Sequence, residues 1–187
     1  MSFWFFILIS CLLLIGIEIV KRKYKQSASV TRRIAHIGAA LVAVLSPIFV
    51  SKDLIVFACL AFAGIMFLSH RATFFSSIQS VKRKTFGEVF LPLGEALTAM
   101  AFLPHGIKEF QYGVLVMGLS DPFAGFIGEK FGKHEITIFG NKKSLEGSCA
   151  FFACTLLITF IFFPVLGYQL VIISLILTFI EFLLGYG

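Results

Sequence analysis

Long apolar runs separated by short polar segments make up most of this chain. Several runs are shorter than the roughly 20 residues that cross a bilayer comfortably. Such lengths are tolerated where a helix breaks at a polar site, because the irregular backbone then lines a cavity. The pattern predicts an all-α, polytopic transmembrane helical bundle, a single integral membrane domain over residues 1–187. About seven spans are predicted, at residues 3–20, 34–50, 54–69, 86–103, 110–127, 149–166 and 170–184.

The composition is that of a membrane protein. Hydrophobic residues make up 58% of the chain and charged residues 14%, and the mean hydropathy is +0.96, which places the chain outside soluble proteins. The net charge of +6 would suggest nucleic acid in a soluble domain. Here the basic clusters lie between apolar runs, where topology and anionic headgroups account for them, so no nucleic-acid partner is predicted. The four cysteines form no Cys-x-x-Cys pair, which argues against a structural zinc site.

The positions of lysine and arginine predict the orientation. If the N-terminus lies outside, the segments 21–33, 70–85 and 129–148 are cytoplasmic and hold fourteen of the sixteen Lys and Arg residues. Only Lys52 and Lys108 then remain outside. The positive-inside rule therefore places the C-terminus and every candidate motif on the cytoplasmic side.

One stretch, from residue 119 to residue 147, combines an acid, glycines and lysines. Asp121 stands beside Pro122 in an apolar run, and an acid at membrane depth is by default functional. Residues three or four apart share a helix face, which would place Asp121 with Gly118, Gly125, Gly128 and Gly132. Lysines suit phosphate groups, and four follow in this stretch: Lys130, Lys133, Lys142 and Lys143.

A structural interpretation competes with the functional one. Small-residue faces usually pack membrane helices together, and lysines after an apolar span are usually topology signals. Asp121, the glycine face and the segment 142–147 occur within fewer than thirty residues. Their combination favours a functional site.

A pair of basic residues opens the second predicted span. Arg32 and His36 are four residues apart and therefore share a helix face. An interfacial arginine is often a stop signal or a lipid anchor. A histidine on the same face, above small residues, indicates a polar pocket instead, and both interpretations stay open.

Two acids lie in the fourth predicted span. Glu88 and Glu95 share a face with Pro92, and such acids should not face lipid. They either pair with the basic cluster 82–84, or coordinate a metal, or orient a substrate hydroxyl. Glu18 and Glu181 lie near span ends and are predicted to be structural.

The order of these motifs resembles the CTP-dependent lipid kinases of the dolichol kinase, phytol kinase and diacylglycerol kinase type. In that family an Asp-containing helix leads into a glycine-rich loop and a Lys-Ser-x-x-Gly element, here Lys143-Ser-Leu-Glu-Gly147. Thr31-Arg-Arg-Ile-Ala-His36 is similar to its Arg-x-x-x-His opening, and Thr85-Phe-Gly-Glu-Val-Phe-Leu-Pro-Leu-Gly94 to its middle motif. The resemblance covers roughly residues 30 to 150. A second likeness, to phosphatidate cytidylyltransferase, rests on a similar order of Asp, Gly-Lys-His and Lys-Lys-x-x-Glu-Gly.

The resemblance implies transfer of the γ-phosphate of CTP to an isoprenoid alcohol of polyprenol, dolichol or phytol type, or to diacylglycerol. Phosphoryl transfer needs Mg²⁺ on the phosphates, cations for the transition-state charge and an acceptor oxygen held in line. Asp121 is the candidate Mg²⁺ ligand. The candidate catalytic residues are Asp121, Arg32, His36 and Lys142. Glu88, Pro92 and Glu95 are the candidate acceptor site. The candidate nucleotide-binding residues are Gly125, Gly128, Lys130, Gly132, Lys133, Lys142, Lys143, Ser144, Glu146 and Gly147.

Two other functions compete with the kinase. A phosphatidate cytidylyltransferase would make CDP-diacylglycerol, but the Arg32–His36 opening fits the kinases and the closing Asp-Arg-x-Asp motif is absent from the sequence. A small ion-coupled transporter would place Glu88, Glu95 and Asp121 along an ion path. Such a transporter often carries an inverted repeat, and no convincing repeat is found in this sequence.

Overall fold

A computed structural model describes residues 27–72, 87–138 and 141–184, together with helical positions 8, 9, 12, 15, 16, 19 and 23. The remainder of the predicted first span and residues 73–86 lie outside the described residues. The same holds for most of the basic segment 21–26 and for the side chain of Glu88. The start of the predicted middle motif and most of the predicted loop 70–85 therefore have no structural account.

Helices form at the predicted apolar runs. Ser27 caps the first of them, its Oγ accepting a hydrogen bond from the amide of Val30. A π-helical turn, Val116–Ser120, joins α4 to α5, and a 3₁₀ turn, Pro164–Leu166, precedes α7. The helical class is confirmed. The bounds are α1 Ala28–Phe49, α2 Lys52–Ala72, α3 Gly87–Phe102, α4 Ile107–Leu115, α5 Asp121–Phe131, α6 Leu145–Phe162 and α7 Gln169–Leu184.

Two of the described helices are long and apolar enough to cross a membrane, judged by length and composition. They are Ser29–Phe49 within α1 and Leu145–Phe162, which is α6. The segments Val89–Phe102 and Gln169–Leu183 are apolar but shorter. Seven spans and the outside position of the N-terminus stay predictions.

A β-hairpin occupies part of the segment 129–148, which the sequence predicts to be a loop. Strand β1, Glu135–Ile138, pairs antiparallel with β2, Asn141–Ser144, and Ile136 lies opposite Lys143. The first strand reads Glu-Ile-Thr-Ile, and β-branched residues favour strands. Among the described residues, this hairpin is where the structure differs from the predicted all-α fold.

The chain divides into two compact units, Met1–Val114 and Leu115–Gly187. In the first unit α2 packs along α3, and a buried cluster joins small alanines to larger side chains. Gln111 of α4 donates a hydrogen bond to the carbonyl of Val44, at 3.0 Å. Small residues let helix backbones approach closely. The cluster contains Ala40, Ala43, Val50, Ile55, Ala99, Phe110 and Val114.

In the second unit α6 packs against both α5 and α7, and buried hydroxyls line the contacts. The Thr155 hydroxyl donates to Ser120 Oγ at 3.0 Å, and Thr159 Oγ1 lies 3.5 Å from Ser174 Oγ. All four residues are fully buried. Hydroxyl hydrogen bonds of this kind hold helices together in apolar surroundings, so they join the π-turn and α7 to the face of α6 that carries Thr155 and Thr159.

Candidate active site

Asp121 begins α5 directly after the π-turn, and its side chain is exposed. The backbone stays helical through Ser120 and Asp121. Pro122 has no N–H, and its ring crowds the carbonyl four residues earlier, which kinks or breaks a regular α-helix. A π-turn widens the helix at that point, and such turns are frequent at functional sites. Gly118 within the turn is buried, so the turn separates the environments of Gly118 and Asp121.

The glycines predicted to face phosphates lie at a close crossing of α5 and α6. A Cβ placed on Gly147 would lie 3.0 Å from the carbonyl oxygen of Ala124 and 3.4 Å from the Cα of Gly128. A Cβ on Gly132 would lie 2.8 Å from Ser144 Cβ. The glycines therefore let the two helices touch. Phosphate binding by their amides, and by the half-buried Gly125, stays a prediction.

Ser144 begins α6 as its N-cap residue. Its hydroxyl accepts a hydrogen bond from the amide of Gly147 at 3.1 Å, and the residue is buried. An N-cap side chain satisfies an amide that the first helical turn leaves without a partner. Its predicted contact with a phosphate oxygen stays a prediction, and the observed role of the hydroxyl is to start α6 at the hairpin.

The two adjacent lysines of β2 lie in opposite environments. Successive side chains of a strand point to opposite faces. The side chain of Lys142 is 60% exposed and forms a surface ion pair with Glu135 at 3.1 Å. The side chain of Lys143 is 7% exposed and forms an ion pair with Glu181 of α7. The predicted phosphate-binding pair is therefore one surface cation and one buried cation.

Glu181, predicted to be structural, is the partner of Lys143, and its side chain is 15% exposed. No local pattern around Glu181 signals this position. Only the packing of α7 against α6 brings residue 181 to the hairpin.

The remaining polar residues of the stretch lie around the hairpin. His134 Nδ1 lies 2.7 Å from Glu146 Oε1, so Glu146, a predicted nucleotide-binding residue, is engaged with the base of the hairpin. Lys133 is exposed. Lys130 Nζ lies 5.6 Å from the ring centre of Phe126, within the range of a cation–π contact.

The first unit contains the predicted acceptor residues. Glu95 of α3 is 6% exposed, and Pro92 is buried beside it. Cys59 Sγ of α2 lies 3.8 Å from Glu95 Oε2, whereas Glu95 Oε1 is buried without a hydrogen-bond partner in the described part of the chain. Arg32 and His36 are both half-buried on α1. These residues belong to the first unit, whereas Asp121 and Lys142 belong to the second.

The donor set around Asp121 fits magnesium in one respect. Mg²⁺ keeps several waters and is commonly held by one or two carboxylates together with substrate phosphates. An exposed Asp121 supplies one such carboxylate. Across residues 27–72, 87–138 and 141–184 no group of three or more His, Cys, Asp or Glu side chains is placed to enclose a metal. A metal held only by protein ligands is thus unsupported there.

Comparison with known proteins gives a family. The chain is 34% identical over 151 residues to a phytol kinase of Synechocystis sp., covering 78% of this chain and 63% of that protein. It is also 34% identical over 96 residues to an uncharacterised protein of Methanocaldococcus jannaschii, covering 51% of this chain and 46% of that one. The chain therefore spans less than two thirds of either relative. No solved structure matches it. The model of the cytidylyltransferase family matches residues 1–186, and the chain belongs to that family.

Proposed function

We propose that this protein is a membrane lipid kinase that transfers the γ-phosphate of CTP to the hydroxyl of an isoprenoid alcohol. The observation that carries the proposal is the 34% identity to a phytol kinase over 151 residues. The choice of CTP comes from the motif resemblance. An exposed carboxylate at Asp121 and the exposed lysine of the hairpin support the phosphotransfer chemistry.

The reaction is a displacement at phosphorus. The alcohol oxygen bonds to the γ-phosphorus, the bridging β–γ P–O bond breaks, and CDP leaves as the hydroxyl proton is released. Asp121 would hold the Mg²⁺, which neutralises charge on the triphosphate when bound. Lys142, Lys133 and Lys130 are exposed cations that would hold phosphate oxygens and oppose the charge of the transition state.

The acceptor site is proposed in the first unit. Arg32 and His36 would bind a phosphate group and the acceptor hydroxyl, and Glu88 and Glu95 would orient that hydroxyl. The exposed faces of the described helices carry many large apolar side chains, such as Leu41, Leu97 and Phe179. Such faces suit a hydrocarbon environment, from which a long-chain alcohol would enter. Cytoplasmic placement of the site follows the charge distribution.

Purified protein in detergent tests the function directly. We expect label from γ-³²P-CTP on phytol or a longer isoprenoid alcohol, together with release of CDP. Diacylglycerol serves as the competing acceptor, and γ-³²P-ATP as the competing donor. Asp121→Asn is the matched control, because it keeps the shape of the side chain and removes its charge. A wild-type protein that labels none of these alcohols would contradict the proposal.

A cytidylyltransferase is the second candidate, favoured by the description of the family whose model matches residues 1–186. Such an enzyme presents a lipid phosphate to the α-phosphorus, so pyrophosphate leaves and CMP stays on the lipid. Label from α-³²P-CTP would then appear on phosphatidate. The same purified protein, given both labelled nucleotides in parallel, separates the two reactions.

A further inference from the structure

The contact between Lys143 and Glu181 joins the hairpin to the last helix. Lys143 Nζ donates hydrogen bonds to both the side-chain Oε1 and the backbone carbonyl of Glu181. The side chains are 7% and 15% exposed. A contact with two acceptors on one residue fixes the lysine more closely than an exposed ion pair can, because neither group is free to exchange its partner for water.

A lysine in such a contact also neutralises a carboxylate that is largely enclosed. A buried charge is stable only when it is paired, so the side chains of Lys143 and Glu181 depend on each other.

The neighbouring residues of β2 depend on the same contact. Lys142 precedes Lys143, and Ser144 follows it as the N-cap of α6. Holding Lys143 against α7 therefore holds the backbone that presents Lys142 and starts α6. Displacing reacting groups by about 1 Å can reduce an enzymatic rate about a hundredfold.

We propose that Glu181 is a positioning residue. It holds Lys143 as a neutral buried pair, and this pair keeps β2, with the surface cation Lys142, in place at the start of α6. Lys143 is thus not a ligand of the nucleotide phosphates. The proposal rests on the proposed function for its kinetic part, and its structural part stands independently.

Four proteins test the pair as a unit: wild type, Lys143→Met, Glu181→Leu and the double variant carrying both changes. Each single change leaves one buried charge without its partner, so both should lower the melting temperature in detergent. The double variant should melt close to wild type, because apolar residues can replace a buried ion pair at little cost. Additive losses in the double variant, or its failure to fold, would overturn the proposal.

Nucleotide binding separates a positioning lysine from a phosphate ligand. Titration of the double variant with Mg·CTP should give a dissociation constant within about threefold of wild type, whereas loss of one charged phosphate contact costs about tenfold or more. Lys142→Met is the matched control, taken from the exposed face of the same strand. A tenfold or larger loss in the double variant would show that Lys143 binds phosphate.

The value of kcat for folded protein separates a positioning residue from a purely structural one, because a purely structural role would leave kcat unchanged. Glu181→Gln keeps the shape and one hydrogen-bond acceptor, so enough protein should fold for assay. We expect a fall in kcat with an unchanged KM for CTP, as for groups displaced in the transition state only. A raised KM with unchanged kcat would contradict a positioning role. If wild type transfers no phosphate from CTP, the proposed function fails, and the melting temperatures still decide whether the pair exists.

Discussion

Two buried acids, one in each unit, have opposite surroundings. Glu181 in the second unit is joined to Lys143 by its carboxylate and by its backbone carbonyl. Glu95 in the first unit is more fully enclosed, but its described neighbour is the thiol of Cys59, and one carboxyl oxygen has no hydrogen-bond partner among the described residues. A buried charge is stable only when it is paired. Loss of the acid should therefore change the free energy of unfolding differently at the two sites, although both acids lie on apolar helices.

The largest effect should come from an acid that is not buried. Asp121 is exposed at the start of α5, so Asp121→Asn should leave the folded yield unchanged. If this carboxylate holds Mg²⁺, γ-phosphate transfer should fall by orders of magnitude. Transfer assays and size-exclusion profiles of the same preparations check both statements. Substantial remaining activity would place the metal on another acid, whereas loss of folded protein would indicate a structural ion pair.

Replacing each buried acid by leucine sharpens the comparison. Glu181→Leu leaves Lys143 buried without its partner, so we expect a loss of about 3–5 kcal/mol in the free energy of unfolding. Glu95→Leu removes an oxygen that lacks a partner, so the change should stay within about 1 kcal/mol or be stabilising. Denaturant unfolding in detergent measures both. Equal losses would show that Glu95 also has a charged partner.

Glycine substitutions compare helix packing in the two units. Gly147→Ala adds a methyl group 3.0 Å from the carbonyl of Ala124, and overpacking of this kind costs about 1–3 kcal/mol. Gly64 of α2 is the matched control, since nothing lies within 4 Å of an added Cβ there. Gly64→Ala should be neutral or stabilising by up to about 1 kcal/mol. A tolerated Gly147→Ala would mean that the helices separate easily.

The smallest effect is expected at the surface pair of the hairpin. Lys142 and Glu135 are both more than half exposed, and exposed ion pairs contribute about 0–1 kcal/mol. Glu135→Ala should therefore leave the melting temperature nearly unchanged, in contrast to Glu181→Leu. It should also not weaken Mg·CTP binding, because it frees Lys142 from a competing carboxylate. Weaker binding would assign Glu135 a role in holding the nucleotide.

The helices are readable from the sequence because apolar runs determine them. The predicted run 149–166 and the observed helix Leu145–Phe162 differ by only four residues at each end. The glycines and Asp121 also stand out in the sequence, and the structure places the glycines at a helix crossing and Asp121 at a helix start. In both cases the residue type alone carries the information, through size for glycine and through charge for Asp121.

The sequence does not show which partner each charged residue finds. Lys142 and Lys143 are identical neighbours, and only the strand places one outside and the other against α7. Glu181 is close to Lys143 in space but 38 residues away in the chain. The hairpin was missed because four-residue strands give a short signal beside long apolar runs. Pairings over such distances depend on how helices pack, which periodicity does not encode.

The π-turn at Val116–Ser120 gives the helix an extra residue of phase. Each residue of an α-helix advances the side-chain direction by about 100° and the axis by about 1.5 Å. Deleting one residue from Val116–Ser120 would remove that extra residue and turn all side chains of α5, Asp121 included, by about 100° relative to the residues before the turn. The ring of Pro122 would then crowd the carbonyl four residues earlier. Rotational phase is thus a property of this site that can be altered without changing any of its charged residues.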